Sequence, residues 1–301
     1  MSVPILYHYP MSPYSEKLRA AMGFSGISWQ SVVVPEQPPR ALLDGLIGGY
    51  RRIPVLQMGA QFYCDTRLAF EALHVGDRAA SHLDPGDEAF REWAESEIFF
   101  AVFSACSSLQ VLRFLHSQVG LADAIRFVRD RMDMMKNATI RPLGRKSAAI
   151  QIHRYVADLE LRLASGCFLA GDSPGYLDFC CYHPLWMICH LDKAASSRWP
   201  HLVTEWVARM RALGNNEIAT ASPEAILESI SGDDTKPLET VEAPFRRGDR
   251  VSVAPSDYAR DETIGELVVL NRERIVLSRG LDSGQTIYVH FPREGFDLVR
   301  C

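Results

Sequence analysis

Residues Tyr7–Met22, YHYPMSPYSEKLRAAM, hold a strand end, a loop and a helix start in one short segment. The apolar run PILYHY (4–9) ends at Pro10, and Ser12-Pro13-Tyr14-Ser15 then heads a segment with helical spacing. Ser12 before Pro13 is a helix start. The Ser oxygen accepts from backbone N–H groups that lack an intrahelical partner, and Pro fits the first turn, where its missing donor costs nothing. Read from these residues alone, Ser12 is a cap.

Beyond that helix, SWQSVVVP (28–35) is strand-like, IPVLQMGAQFYC (53–64) is a hairpin turned at Gly59-Ala60, and DTRLAFEAL (65–73) is helical. The order β-α-β then β-β-α predicts a small mixed sheet covered by helices over 1–76. From 84 to 230 apolar residues recur three and four apart, in segments such as GDEAFREWAESEIFFAVFSACSSL (86–109) and RKSAAIQIHRYVADLELRLASG (145–166). An all-helical domain follows. Residues 231–243 are polar and acidic and read as a linker. Five short strands with turn residues between them then fill 244–301, the pattern of a small β-barrel or sandwich.

A chain of 301 residues with a formal net charge of -5 has room for two or three compact units and lacks a global field that draws it to phosphates or anionic lipid. The third unit carries nine Arg against nine Asp plus Glu, with no concentrated basic face, so nucleic acid is not an expected partner. The sequence shows no long apolar span and no basic-then-apolar leader, which predicts no membrane and a cytoplasmic protein. Seven cysteines without a Cys-x-x-Cys pair read as reduced, mostly packed thiols. His183, His190 and Cys180-Cys181 lack metal-ligand spacing, so no metal is expected.

Taken in order, the Ser-Pro-aromatic loop, Arg19, RRIPVL (51–56), CDTRLAFEAL (64–73) and the helical region resemble the cytosolic glutathione transferase superfamily over Val3–Leu213. The resemblance implies a thioredoxin-like α/β N-terminal domain, an all-α domain, glutathione as co-substrate, and a homodimer. It puts Ser12 where that family uses a Ser or Cys. Glutathione's thiol is mostly protonated at neutral pH, so the protein must stabilise a thiolate, and a helix N-terminus with a donating hydroxyl does so. By the same resemblance Pro54 is cis, and the backbone of Ile53 meets the cysteinyl unit; from local residues alone Pro54 reads as trans at a strand start. Asp65 meets the γ-glutamyl ammonium and Thr66 its carboxylate, although Asp65 also reads as a plain N-cap. Arg52 is the chosen basic residue for the tripeptide carboxylate, ahead of Arg51 and Arg40.

Some positions depart from the family pattern. His8 stands where Tyr-type members carry their catalytic Tyr, leaving Tyr9 as the fallback to Ser12. Ser12 and Ser15 occupy both ends of the motif where redox members place Cys, so thiol-disulfide exchange has no nucleophile there. In SPGYLDF (173–179), Gly175 stands in the capping place opposite Asp178 and has no side-chain acceptor. Trp93, Phe99, Phe100, Phe103 and Phe114 offer an aromatic set for a flat apolar substrate or for the core. FRRGDRV (245–251) followed by GELVVL (265–270) looks like an SH3-like barrel, serving as a lid, a dimer prop or a protein-binding module. The expected activity is conjugation of glutathione to an apolar or aromatic electrophile. The alternatives are a glutathione-binding or protein-interaction module without turnover, and a glutathione-dependent lyase, isomerase or peroxidase.

Overall fold

The computed structural model describes residues 3–75, 83–231, 235–238 and 240–301. The expected boundary at residue 76 and residues 232–234 and 239 of the expected linker lie outside the described residues. The N-terminal unit runs β1 (Ile5–His8), α1 (Pro13–Phe24), β2 (Trp29–Val33), α2 (Ala41–Ile47), β3 (Val55–Met58), β4 (Gln61–Tyr63) and α3 (Thr66–Leu73). β1 pairs parallel with β2 and antiparallel with β3, and β3 with β4 antiparallel, which is a thioredoxin-like sheet. All four residues of β1 are buried because both faces of the sheet are covered. Leu6 faces a core with α1, α3 and the helical domain, whereas Ile5 and Tyr7 face a second core with α2.

The helical domain opens with α4 (Pro85–Trp93), capped by Asp84, and passes through a π-helical turn at Ala94–Ile98 into α5 (Phe99–Ala105). At Cys106 the chain leaves helical geometry, and α6 (Ser108–Val119) starts from a Ser107–Gln110 capping box at 97° to the preceding helix. After it come α7 (Leu121–Met134), α8 (Arg145–Arg162), α9 (Tyr176–Leu191), α10 (Lys193–Ser196) and α11 (His201–Arg211). α9 is the central helix, with 14 of its 16 residues buried. Asp178 at its start accepts from the N–H groups of Leu169, Ala170 and Gly175 and from Trp206 Nε1, at 2.7 to 3.1 Å. The Gly at 175 has a steric reason: a Cβ there would stand 2.7 Å from Ala170 Cβ, closer than carbons pack. No single helix among the described residues is long and apolar enough to cross a membrane.

The chain then returns to the first sheet. β5 (Glu217–Thr220) pairs parallel with β2, and α12 (Pro223–Ser231) buries Ile226 and Ile230 in the core that holds Ile5 and Tyr7. The stretch read as helical up to 230 therefore ends in a strand and a helix that serve the N-terminal sheet. β5 escaped the sequence reading because all four of its residues are exposed and show no alternation.

The remaining strands are β6 (Thr240–Val241), β7 (Arg250–Pro255), β8 (Thr263–Leu270), β9 (Arg274–Gly280), β10 (Thr286–Pro292) and β11 (Phe296–Arg300). The last five match the five strands read from sequence, and they pair antiparallel in the order β11-β7-β8-β9-β10. The sheet is open and does not close on itself into the expected barrel. β10 pairs parallel with β4, Tyr288 beside Gln61 and His290 beside Tyr63, so one continuous sheet spans both regions. Each strand would otherwise present unpaired N–H and C=O groups at an edge, and their pairing satisfies both. Val55 and Phe62 share a core with Leu277, Val289 and Phe291.

Candidate active site

Ser12 is buried and caps α1, its Oγ accepting from Ser15 N–H at 3.2 Å while its own N–H donates to Tyr9 O at 3.1 Å. With the oxygen used as acceptor, the hydroxyl proton remains to donate. Ser12 lies in the wall of a cavity of about 800 Å³ between the sheet domain, the helices and the C-terminal sheet. Tyr9, Arg52 and Ile53 share that wall, as do Arg40, Arg51 and Arg131. Phe99, Phe100, Phe103 and Phe114 line its apolar side, together with Met132, Met135 and Met187. Trp93 does not: it packs edge-on against Phe90 and Tyr155 in the helical core.

The Ile53–Pro54 bond is cis, as the family resemblance implies. Pro54, Asp65 and Thr66 are not part of the cavity wall. Asp65 caps α3, accepting from Arg67 N–H at 2.7 Å, and burial raises its pKa against the pull of Lys17. Thr66 Oγ1 accepts from Lys17 Nζ at 3.0 Å, and the same ammonium meets Glu95 Oε1 at 2.5 Å. Burial pushes the Glu95 carboxyl up, but Lys17 and then Arg91 outweigh it and bring it down to about 2. Tyr14, which lines the cavity, donates to Glu95 O at 2.6 Å. A buried chain of polar groups thus joins the head of α3 to the head of α1.

His8, in the place of a catalytic Tyr, is buried and engaged on both ring nitrogens. Arg19 donates to Nδ1 at 3.0 Å, which leaves Nε2–H to donate to Ser31 Oγ at 2.7 Å. Burial, with Arg19 adding to it, lowers its pKa to about 4, so His8 is a neutral structural group at pH 7. Cys64 is fully buried, and burial pushes its thiol well up, as for a packed thiol. Among the described residues no three His, Cys, Asp or Glu side chains are grouped to hold a metal ion.

Arg52 departs from a free anion-binding role. Its guanidinium pairs with Asp257, donates to Tyr258 O, and lies 3.9 Å from the centre of the Tyr258 ring. Tyr258 itself lines the cavity and meets Phe100 edge-on at 5.2 Å. Sequence reading missed this residue because it lies in a loop, with no periodicity to place it. Arg40, the weaker candidate, is buried with its guanidinium on the carbonyls of Pro35, Glu36 and Arg51.

Residues 6–74 match the family of the glutathione S-transferase N-terminal domain. No curated protein matches the chain. Among solved structures, a GST-like protein from Pseudomonas syringae is 30% identical over 99% of this chain and 99% of that one, with a TM-score of 0.74. A glutathione S-transferase from Pseudomonas fluorescens is 16% identical over 69% of this chain and 94% of its own, at a TM-score of 0.44. FzlA from C. crescentus is 18% identical over 69% and 88%, at 0.46. With the P. syringae match running the length of both chains at that identity, this chain belongs to the glutathione S-transferase-like family.

Proposed function

We propose that the chain binds glutathione at the head of α1 and activates its thiol for attack on an apolar or aromatic electrophile. The observation that carries this reading is Ser12: it is buried, it caps α1, and it stands in the wall of a cavity whose other side is aromatic. Partial positive charge and N–H donors at the helix start favour a thiolate, and the free Ser12 proton adds a hydrogen bond to it. The remaining contacts in this reading are the Ile53 backbone for the cysteinyl unit, Arg52 for the glycyl carboxylate, and Asp65 with Thr66 for the γ-glutamyl end. Tyr9 is the second candidate for thiol activation, since it shares the wall.

A homodimer belongs to the same reading. The strand order β11-β7-β8-β9-β10 supports an SH3-like sheet opened onto β4. One observation favours a second reading, a glutathione-binding or protein-binding module without turnover: the Arg52–Asp257 pair engages the basic residue that the tripeptide needs. Lyase, isomerase and peroxidase chemistry would use the same thiolate.

Calorimetric titration with glutathione in two buffers of different ionisation heat tests the proposal. Binding with release of a proton at neutral pH is the expected result, because the bound thiol ionises. Binding without proton release removes thiol activation and leaves the module reading. No binding removes both.

A further inference from the structure

The loop between β7 and β8, residues 256–262, belongs to the C-terminal sheet yet is tied to both other domains. Gly49 N–H donates to Glu262 O at 3.1 Å, and a Cβ at Gly49 would stand 2.4 Å from that oxygen, so the backbones meet at a distance only glycine permits. Arg51 reaches Asp261 at 3.6 Å and also pairs with Asp130 of α7. From the helical side, Thr139 N–H donates to Asp257 O at 2.8 Å, and Phe100 packs on the Tyr258 ring. The loop is held from two directions against the cavity, whose wall includes Tyr258.

Arginines outnumber carboxylates around that wall. Arg40, Arg51, Arg52, Arg129 and Arg131 line it, and the carboxylates that pair with Arg51, Arg52 and Arg131 are Asp130, Asp257 and Asp261. Asp257 is the one that engages Arg52, and it also accepts from Tyr258 N–H at 2.8 Å. A carboxylate on a guanidinium, with an aromatic ring over the guanidinium face, is the arrangement a bound carboxylic acid would adopt there.

We propose that the 256–262 loop is a built-in competitor and lid. Asp257 holds Arg52 in the place of a co-substrate carboxylate and Tyr258 forms part of the cavity wall beside it, so a carboxylate-bearing thiol enters only by displacing Asp257. The proposal rests on the glutathione reading above. It makes the C-terminal sheet a determinant of which anionic co-substrate the site admits. Displacement withdraws one acidic group from a cluster of five arginines, and the incoming carboxylate replaces its charge.

The test compares the full-length wild type with Asp257→Asn by glutathione calorimetry, together with hydrogen exchange of residues 256–262 in the wild type at saturating glutathione. Removing the competing charge is expected to tighten binding by about tenfold or more, the scale of a charge-assisted hydrogen bond. Loop amides are expected to lose protection when glutathione binds. Equal affinity in the two proteins, or weaker binding by the variant, overturns the lid and leaves the glutathione site standing. Unchanged or increased loop protection in the wild type overturns it without recourse to the variant. No binding by either protein removes the glutathione reading, and the lid falls with it.

Discussion

Replacing Lys17 with Met removes a positive group that meets the part-buried Glu95 carboxylate directly. Lys17 is 0% exposed and holds Glu95 and Thr66 together, at 2.5 and 3.0 Å. Glu95 titrates at about 2 against an ordinary 4.5, which corresponds to about 3 kcal/mol in favour of its charged form. Arg91 still meets Oε2 at 2.5 Å in the variant, so part of that remains. Thr66 also loses its donor, and the expected destabilisation is about 3 kcal/mol, at the low end for breaking a buried pair. Urea denaturation followed by tryptophan fluorescence would show the midpoint fall by about 1 M, taking a slope of about 3 kcal/mol per M. Adding Glu95→Gln to the variant removes the uncompensated charge and is expected to restore about 2 kcal/mol. A Lys17→Met change below about 0.5 kcal/mol, the range of ordinary surface substitutions, would refute the claim that this pair anchors the heads of α1 and α3. In the wild type the same pair loses its contribution as pH falls from about 4.5 to about 2.

Ser12→Ala is expected to cost about 1 kcal/mol by loss of the α1 cap, and to lower kcat while glutathione affinity changes little; thermal melts and steady-state kinetics separate the two effects. Between pH 6.5 and about 4 the protein is expected to lose stability, because His8, His183 and His290 are lowered by burial to about 4, about 3 and about 3. The unfolded chain binds those protons first, so stability falls with pH, at about 1.4 kcal/mol per pH unit for each histidine. Asp65 and Asp178, raised by burial, act in the opposite direction. The difference between wild type and His183→Phe isolates one proton, and equal pH slopes would show that His183 titrates in the folded state. Gly175→Ser supplies the missing capping oxygen, yet a loss of about 1 to 3 kcal/mol is expected from the clash with Ala170; a higher melting temperature would show that the site has room.

Local chemistry made much of the site legible. Ser12-Pro13 reads as a helix start and heads α1, the Gly59-Ala60 turn lies between β3 and β4 as read, and Asp65 caps α3. The five C-terminal strands were equally plain from alternation and turn residues. Each of these features depends on residues within a few positions of one another, and their preferences are set by capping, turn geometry and period.

Long-range pairing was not legible. Nothing in QFY (61–63) or TIYVHFP (286–292) says that the two segments lie side by side, because edge pairing uses backbone groups common to every residue. The same holds for β5, fully exposed beside β2. The role of Arg52 follows from the family resemblance at RRIPVL, whereas its charge is answered by Asp257, 205 positions away. A side chain's type follows from the sequence, but its partner depends on how the chain brings distant loops together. Here a shared core beneath β4 and β10 places Asp257 and Tyr258 against the cavity that Ser12 opens.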